Sequence, residues 1–255
     1  MPGSSLDWGL ADKTVVVTGA SSGIGAATAR LLGDAGATVV LVGRDEERLG
    51  HEVAEVESRG GRPHPVHADI EDLAAAAGVI DQAVDACGPL HGIVHSASLF
   101  DPRPLAETTV ESAERQWRTN VLAPLVMTQA AVAHLEPGAS VVFVGSTTGS
   151  VGFPGCSAYT ATKGAVNALT RALAVELAPN GIRVNIVVPG YVRTPMLQPH
   201  LDANAGYEDW IVDRTPTGQI GGPEELAPAI VYLLSPLSTY VDGATLVADG
   251  GWIAQ

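Results

Sequence analysis

The sequence predicts an α/β protein in which a doubly wound sheet of seven parallel strands carries helices on both faces. Short runs of β-branched and apolar residues alternate along the chain with longer amphipathic stretches, which is typical of repeated strand–helix–strand units. Hydrophobic residues make up 46% of the chain and aromatic residues only 5%, as expected for buried parallel strands covered by alanine-rich helices. Because crossovers between parallel strands are right-handed, the helices should cover both faces of the sheet.

The predicted strands are the short apolar runs, each followed by a turn and a stretch of helical length. They lie at residues 14–17, 38–42, 65–67, 92–95, 140–144, 182–188 and 245–247. Helices are predicted at residues 26–35, 45–58, 71–86, 111–134 and 226–234, and one more carries Tyr159 and ends near Leu177. Pro124 should kink the helix that contains it. Pro179-Asn180-Gly181 should stop the helix that ends near Leu177.

The composition argues against several classes of function and site. The 255 residues contain no linker or low-complexity tract, so we expect one domain spanning residues 1–255. A net charge of −14 argues against a nucleic-acid partner, because phosphate binding needs a basic patch. Cys87 and Cys156 do not suggest a disulfide framework, and the seven histidines lack metal-binding spacing, so we expect no catalytic metal.

The first residues, Met1–Leu10, have neither a basic start nor an apolar run, so we do not expect a signal peptide. The sequence contains no run of about 20 apolar residues, the length needed to cross a bilayer. We therefore expect a cytoplasmic protein that does not associate with a membrane.

A glycine-rich segment follows the first predicted strand directly and reads Thr18-Gly19-Ala20-Ser21-Ser22-Gly23-Ile24-Gly25. Glycines here allow a tight turn and a close approach of the backbone to a pyrophosphate. The helix that begins after them would present unpaired N–H groups to the phosphates. The segment therefore predicts a dinucleotide-binding loop formed by Gly19, Ser21, Ser22, Gly23, Ile24 and Gly25.

The end of the second strand bears on the choice of cofactor. Sites for NAD usually place an acidic residue there to bind the ribose 2′-hydroxyl. This chain has Gly43 at that position and Arg44 beside it, and an arginine can hold a 2′-phosphate through two hydrogen bonds. NADP(H) is therefore favoured. Arg44 could instead pair with Asp45 or Glu47 at the surface. NAD(H) stays possible, because Glu46 and Glu47 put negative charge near the predicted phosphate.

Four polar residues suggest proton chemistry. Tyr159 and Lys163 are one helical turn apart, which puts the phenol and the ammonium on the same helix face. A neighbouring cation should lower the pKa of the phenol and make it a general acid or base. Ser146 and Asn120 lie upstream. The pair alone would also fit a solvated helix face, so the glycine-rich segment gives it weight.

Together these motifs resemble the short-chain dehydrogenase/reductase family along essentially the whole chain. The matching positions are Thr18–Gly25, Asp69, Asn120, Ser146, Tyr159-x-x-x-Lys163, the run Pro189-Gly190 to Thr194, and the tail from Val241-Asp242-Gly243 to Asp249-Gly250-Gly251. The resemblance implies a single-domain Rossmann fold and an enzyme that transfers a hydride between a nicotinamide cofactor and a ketone or secondary alcohol. It also implies a homotetramer or a homodimer.

The resemblance further implies roles for individual residues. Tyr159 would protonate the carbonyl oxygen, Ser146 would hydrogen-bond the same oxygen, and Lys163 would lower the pKa of Tyr159 and bind the nicotinamide ribose. Asn120 would hold a water that links Lys163 to solvent. Asp69 could accept a hydrogen bond from the adenine amino group, or cap the next helix. The remaining residues expected to contact the cofactor are Ile70, Ser96, Ala97, Pro189, Gly190, Val192 and Thr194.

The chain departs from the family pattern after the fourth strand. Family members usually carry Asn-Asn-Ala-Gly there, and this sequence has His95-Ser96-Ala97-Ser98. We expect cofactor binding to survive because Ala97 is kept. His95 is expected to be structural, with a titrating contact to substrate as the alternative.

A substrate lid is expected at residues 193–219. Its aromatic and apolar residues suit an apolar or cyclic ketone or alcohol, although they could equally pack the lid or a subunit interface. The expected pocket residues are Thr148, Phe153, Tyr191, Met196, Leu197 and Trp210. The leading functional hypothesis is an NADP(H)-dependent oxidoreductase of such small molecules. An NAD-dependent alcohol dehydrogenase is the first alternative, and a non-catalytic dinucleotide-binding regulator is the remote one.

Overall fold

Strand and helix alternate through the chain as the sequence predicts. The computed structural model describes residues 6–255. The start of the segment predicted not to be a signal peptide, residues 1–5, therefore lies outside the described residues. The strands are β1 Thr14–Thr18, β2 Thr38–Gly43, β3 Arg62–His67, β4 Leu90–His95, β5 Leu135–Val144, β6 Arg183–Pro189 and β7 Thr245–Ala248. The α-helices are α1 Gly23–Asp34, α2 Glu46–Ser58, α3 Leu73–Cys87, α4 Val110–Trp117, α5 Ala123–Ala131, α6 Ser157–Leu177, α7 Gln198–Ala203, α8 Tyr207–Arg214 and α9 Pro223–Leu234.

Within residues 6–255, seven parallel strands form one sheet in the order β3-β2-β1-β4-β5-β6-β7. Thr18 at the end of β1 is in register with Val42 on one side and His95 on the other. The strand order reverses between β1 and β4, and a ligand crevice in such sheets opens beyond the carboxyl ends of the strands at this point. The predicted doubly wound fold is confirmed.

Both faces of the sheet are buried at its inner strands, which explains why strands such as β1 and β2 read as continuous apolar runs. Val16 points into one apolar core together with residues of α3, α5 and α6. Val15 and Val17 point into the other, which packs against α1 and α9. A parallel sheet covered on both sides needs no polar face, so an inner strand such as β1 is buried along its whole length, while the edge strands β3 and β7 are partly exposed.

The predicted helix over residues 111–134 is wrong in one respect. It is divided into α4 and α5 by a π-helical turn, Arg118–Leu122, and ends in a 3₁₀ turn, Val132–His134. Pro124 lies in the first turn of α5, where a proline ring is tolerated, so the interruption precedes it instead of being centred on it. The π turn directs Asn120 into the interior, where it is buried.

The region predicted as a substrate lid contains two helices that the sequence did not reveal, α7 and α8. Ile211 of α8 is fully buried in a small apolar cluster with Leu201 and Trp252. The lid therefore has a core of its own. Among the described residues, no helix is both long enough and apolar enough to cross a membrane.

Candidate active site

The glycine-rich loop lies at the carboxyl end of β1, against the segment that follows β4. Gly19 has a positive φ of 67°, and a Cβ at this position would lie 2.9 Å from the Cα of Ala97. A Cβ on Gly25 would collide with the carbonyl oxygen of Gly19. Both positions therefore require glycine, because the loop turns tightly and two backbones approach each other.

Helix α1 begins at Gly23 with its first N–H groups directed to the crevice. Its N-cap residue, Ser22, makes no side-chain capping bond, and its first turn carries no acidic residue. Such a helix start satisfies its N–H groups with an anion and favours negative charge through its dipole. The side chain of Thr194 lies over Gly23, with its methyl group 3.1 Å from where a Cβ would be. The loop could therefore hold a pyrophosphate, and its role in cofactor binding stays a prediction.

Thr18 fixes the segment after β4 against the loop. Its hydroxyl accepts from the backbone N–H groups of Ser96 and Ala97, each at 3.1 Å, and donates to the carbonyl of Val94 at 3.3 Å. Ser96 and Ala97, both predicted cofactor contacts, line the crevice as a result.

The far end of the crevice is lined by charged residues. Arg44 pairs with Asp69 at 3.5 Å, and its side chain is 62% exposed. Arg48 pairs with Asp45 at 2.6 Å and lines the same corner. Arg44 therefore contacts neither of the partners expected for it, Asp45 or Glu47. Sequence reasoning missed Arg48, which lies in the first turn of α2, while Arg44 precedes the N-cap Asp45, so no helical spacing links the two arginines.

Two details of this corner refine the sequence interpretation. A Cβ at Gly43 would lie 3.2 Å from the side chains of Ser21 and Leu49, so the acid typical of NAD sites has little room there. The alternative that Asp69 caps helix α3 is wrong, because Asp72 is the N-cap and accepts from Ala74 and Ala75. Asp69 instead accepts from the N–H of Glu71 at 3.0 Å.

The catalytic candidates meet near the ends of β5 and α6. Ser146 caps a 3₁₀ turn after β5, and its hydroxyl accepts from the N–H and the hydroxyl of Thr148, at 3.2 and 2.9 Å. Since both bonds are accepted, the Ser146 proton stays available to donate. A Cβ on Gly149 would lie 2.9 Å from the backbone of Lys163, so the absence of a side chain lets this turn pack closely on α6.

Tyr159 and Lys163 lie one turn apart on α6 and are both buried. The ammonium of Lys163 donates to the carbonyl of Val144 at 2.9 Å and lies 5.5 Å from the centre of the Tyr159 ring. The two side chains share a helix face, as their spacing predicts.

Burial dominates the ionisation of both groups. It raises the pKa of Tyr159 to about 12, although hydrogen bonding from Ser98 and Ser146 acts in the opposite direction. Burial also lowers the pKa of Lys163 to about 8. The expectation that Lys163 lowers the pKa of Tyr159 is therefore not met in this structure, because removal from water is the largest influence on that pKa. At neutral pH the phenol holds its proton and can donate it.

Asn120 lies behind the catalytic residues and not on the crevice wall. Its amide oxygen accepts from the N–H of Leu99 at 2.7 Å and from the hydroxyl of Ser98 at 3.0 Å. Its amide nitrogen donates to the carbonyl of Leu99 at 2.9 Å and to the hydroxyl of Thr162 at 3.1 Å. All four hydrogen-bonding positions of the amide are taken. Its side chain anchors the 98–99 segment, and the water-holding role stays a prediction.

His95 is structural. Its ring is buried, packs against Phe143 with ring centres 4.9 Å apart, and shares a hydrogen bond of 2.9 Å between Nε2 and the hydroxyl of Thr128. The Thr128 hydroxyl donates to the carbonyl of Pro124, so the His95 ring is the donor to it. Burial lowers the pKa of His95 to about 3, so the ring is neutral at physiological pH. The alternative of a titrating contact with substrate is wrong, because the ring does not reach the crevice.

The crevice is a continuous cavity of about 720 Å³. It is lined by these residues singled out from the sequence: Gly19, Ser21, Ser22, Gly23, Ile24, Arg44, Asp69, Ile70, Ser96, Ala97, Ser146, Thr148, Phe153, Tyr159, Lys163, Pro189, Gly190, Tyr191, Val192, Thr194, Met196 and Leu197. Gly25 and Asn120 support this wall from behind. The cavity therefore joins the predicted cofactor loop to the predicted proton donor.

Trp210, expected in the substrate pocket, lies outside the cavity wall. Its indole stacks on Tyr207 with ring centres 5.7 Å apart and contacts Trp252 at 5.5 Å. The cation of Arg214 lies over the same indole. The alternative that the aromatic residues pack the lid is therefore correct for Trp210, which packs the lid against the C-terminal segment.

Sequence reasoning missed several residues of the substrate end. Phe100 meets the ring of Tyr159 edge-on at 4.8 Å and the ring of His200, on α7, at 5.3 Å. Ser98 lines the cavity beside them. Ser98 and Phe100 lie in an irregular segment, where spacing carries no information on side-chain direction, and His200 lies on a helix that was not predicted. Within residues 6–255, no group of three or more His, Cys, Asp or Glu side chains is arranged to hold a metal ion.

Comparison with known proteins adds independent observations. A family model described as enoyl-(acyl carrier protein) reductase matches residues 19–253. The cyclopentanol dehydrogenase of Comamonas sp. (strain NCIMB 9872) is 37% identical over 247 residues, which cover 96% of this chain and 98% of that protein. The 2,5-dichloro-2,5-cyclohexadiene-1,4-diol dehydrogenase of Sphingobium indicum is 38% identical over 249 residues, with coverage of 96% and 98%.

Solved structures agree over nearly the whole chain. A short-chain dehydrogenase/reductase of the glucose/ribitol dehydrogenase type from Brucella melitensis superimposes with a TM-score of 0.91 at 32% identity, covering 97% of this chain and 99% of that chain. A blue fluorescent protein from a metagenomic library, in complex with NADPH, superimposes with a TM-score of 0.90 at 33% identity, covering 96% and 99%.

Proposed function

The chain belongs to the short-chain dehydrogenase/reductase family, and from this premise we propose that it interconverts a cyclic ketone and the corresponding secondary alcohol with NADP(H). The observation that carries the proposal is the single cavity in which Tyr159, Ser146 and Lys163 share a wall with the glycine-rich loop. A proton donor and a dinucleotide loop in one crevice are the parts that carbonyl reduction needs.

Tyr159 and Ser146 have different roles in the proton chemistry. Tyr159 is neutral at physiological pH, because burial raises its pKa to about 12, and it gives its proton to the carbonyl oxygen of the substrate. Ser146 accepts two hydrogen bonds from Thr148, which hold its hydroxyl in place, so it can donate to the same oxygen as charge develops. In the oxidative direction Tyr159 takes the proton back.

The cofactor, when bound, supplies or accepts the hydride. Its phosphates would be held by the Gly19–Gly25 loop and the start of α1, and its nicotinamide end by the 189–194 segment. Arg44 and Arg48 give the adenine-ribose corner two cations, which supports a 2′-phosphate and hence NADP(H). The alternative, NAD(H), rests on Asp45, whose carboxylate lines the same corner.

A cyclic substrate is supported by the shape and chemistry of the outer cavity. Apolar groups surround the space in front of the Tyr159 hydroxyl, among them Phe100, Phe153, Met196 and Leu197. The relatives named above are dehydrogenases of a cyclopentanol and a cyclohexadienediol. An uncharged ring fits such walls, because burial of its apolar surface drives binding.

The proposal includes a cytoplasmic homotetramer. A cytoplasmic location is supported by the two cysteines, which are unpaired. Assembly is supported by apolar residues that α4 and α6 leave at the surface, notably Val110 and Val175, which are 74% and 79% exposed.

The test measures nicotinamide absorbance with NADPH and with NADH against cyclopentanone, cyclohexanone and their alcohols. We expect turnover with NADPH, and Tyr159→Phe should lower kcat by at least about 100-fold, because it removes the general acid. Binding of NADPH, followed by fluorescence, should be retained in the variant.

Tyr240→Phe is the matched control, since this phenol is fully exposed and its loss should leave turnover unchanged. Unaltered kcat in Tyr159→Phe would show that another group supplies the proton. Binding of NADPH without turnover of any ketone or alcohol would favour the non-catalytic regulator.

A further inference from the structure

Two tyrosine hydroxyls meet in the wall of the cavity, and the proposed proton transfer uses neither of them. Tyr191 follows β6, Tyr207 begins α8, and their hydroxyl oxygens share a hydrogen bond of 3.1 Å. Both residues line the same cavity as Tyr159. The ring of Tyr191 meets Phe153, one of the apolar groups of the outer cavity, edge-on at 6.2 Å. The two phenols therefore place a polar contact at the substrate end of the cavity.

A count of hydrogens shows what the two phenols can still bind. Each phenol has a single O–H donor, and one hydrogen bond between them uses only one of the two protons. Within residues 6–255, neither hydroxyl makes a further hydrogen bond to the protein. Whichever tyrosine donates, one O–H is left to give, and oxygen lone pairs are left to accept. A hydroxyl group of a ligand matches this combination, because it both accepts and donates.

Aromatic packing holds both phenols in place. The ring of Tyr191 meets that of Trp252 edge-on, with ring centres 4.9 Å apart. The ring of Tyr207 stacks on Trp210 at 5.7 Å, and Trp210 in turn contacts Trp252. These contacts fix the two hydroxyls before any ligand arrives. A hydrogen-bonding site that is already rigid loses little conformational entropy on binding, so it can discriminate between ligands that do and do not carry the matching oxygen.

The charges near the two phenols favour an uncharged oxygen over a carboxylate. Arg193 is paired with Glu208 at 2.6 Å. The guanidinium of Arg214 lies over the rings of Trp210 and Trp252, 5.2 and 5.8 Å from their centres. Both arginines lie outside the wall of the cavity. A carboxylate at the two phenols would lose its water without gaining a cation, whereas a hydroxyl would exchange its hydrogen bonds with water for equivalent ones.

Resting on the proposed function, we propose that the hydroxyls of Tyr191 and Tyr207 bind a second hydroxyl group of the substrate, which is therefore a cyclic diol or the corresponding hydroxyketone. The first oxygen exchanges its proton with Tyr159, and the carbon that bears it exchanges the hydride with the cofactor. No bond is made or broken at the second oxygen. Because the ring is then held at two points, the two phenols also select which hydroxyl of a diol reacts.

The test compares kcat/KM for the oxidation of cyclohexanol, of the cyclohexane-1,2-, -1,3- and -1,4-diols, and of 4-hydroxycyclohexanecarboxylate with NADP⁺. We expect at least one diol to exceed cyclohexanol by about 10-fold, because it gains hydrogen bonds in a place with little water. The variant that carries both Tyr191→Phe and Tyr207→Phe should lose this preference, since its rings keep the packing and lack the hydroxyls. A purely structural role of the two tyrosines would lower kcat/KM for cyclohexanol and the diols alike and leave their ratio unchanged.

Tyr240→Phe is again the matched control, because it removes the same hydroxyl from a fully exposed phenol and should not alter the ratio. The inference is overturned if no diol exceeds cyclohexanol, or if the carboxylate exceeds every diol. It is also overturned if the diol preference survives the loss of both phenols, and His200, which lines the same wall, would then be examined. If the double variant does not fold, Tyr207→Phe alone should lower the ratio, because the remaining hydroxyl loses the partner that orients it, and an unchanged ratio there overturns the inference.

A binding measurement separates this inference from the proposed function. Trp210 stacks on Tyr207 and Trp252 contacts Tyr191, so tryptophan fluorescence should report a ligand at the two phenols. The variant Tyr159→Phe, which lacks the proton acceptor, is titrated with each alcohol in the presence of NADP⁺. Tighter binding of a diol than of cyclohexanol, lost when both phenols are also replaced, supports the inference even if every alcohol fails as a substrate. Equal binding of the diols and cyclohexanol overturns it.

Discussion

At the scale of the residue, burial sets the charge of the groups that carry the chemistry. Burial shifts both Tyr159 and Lys163 towards their neutral forms, with pKa values of about 12 and about 8, so at neutral pH Tyr159 is uncharged while Lys163 stays mostly protonated. The spacing of the two residues predicts that they share a helix face. It does not predict their pKa values, because these depend on how completely the fold buries the two side chains.

The charged corner of the cavity offers the sharpest residue-scale prediction. Arg44→Asp should reduce the preference for NADP⁺ over NAD⁺ by about 10- to 100-fold, because a bidentate contact to the 2′-phosphate is replaced by repulsion. The ratio of kcat/KM for the two cofactors measures this preference.

Lys13→Asp makes the same change of charge at an exposed position directly before β1 and should leave the ratio as it is. An unaltered ratio in Arg44→Asp as well would remove Arg44 from the cofactor site and leave Arg48 as the cation to be tested next.

At the scale of the element, glycine decides how closely α1 approaches the loop that precedes it. Gly25→Ala should lower the free energy of unfolding by about 1–3 kcal/mol or more, because its Cβ would strike the carbonyl oxygen of Gly19. Gly78→Ala in α3, where a Cβ would meet nothing within 4 Å, should instead stabilise the protein by up to about 1 kcal/mol. Urea unfolding followed by circular dichroism compares the two. Equal stabilities would contradict the close packing of this loop.

The elements also show where sequence reasoning succeeds and fails. Strands such as β1 and long helices such as α6 are predictable, because burial on both faces or a helical period leaves a mark over many residues. The π turn at Arg118–Leu122 leaves no such mark, since five residues are too few for its changed period to be recognised in the sequence. Helices as short as α7 depend on the core they pack against. Phe100 was missed for the same reason, because a loop side chain takes its direction from tertiary contacts.

At the scale of the whole molecule, the exposed apolar residues of α4 and α6 predict assembly. We expect a homotetramer by sedimentation velocity, and Val175→Glu should shift it to smaller species, because a charge would be buried at the contact between subunits.

Leu237→Glu is the control, since Leu237 is also an exposed apolar residue but lies in the turn after α9. A monomer in the unmodified protein would contradict the proposed assembly. A tetramer that tolerates Val175→Glu would move the contact to another face.

The position of β1 in the sheet has a consequence for biosynthesis. β1 is made first, yet it lies in the middle of the sheet, and the edge that β4 will cover stays open until that strand has left the ribosome. From β4 onward each strand adds to the outside of the one before it. The wall of the cofactor cavity is complete only when the 189–194 segment has followed β6. The cofactor can therefore stabilise only a nearly finished chain, and its cellular concentration would govern the lifetime of the folded protein and not the early steps of its folding.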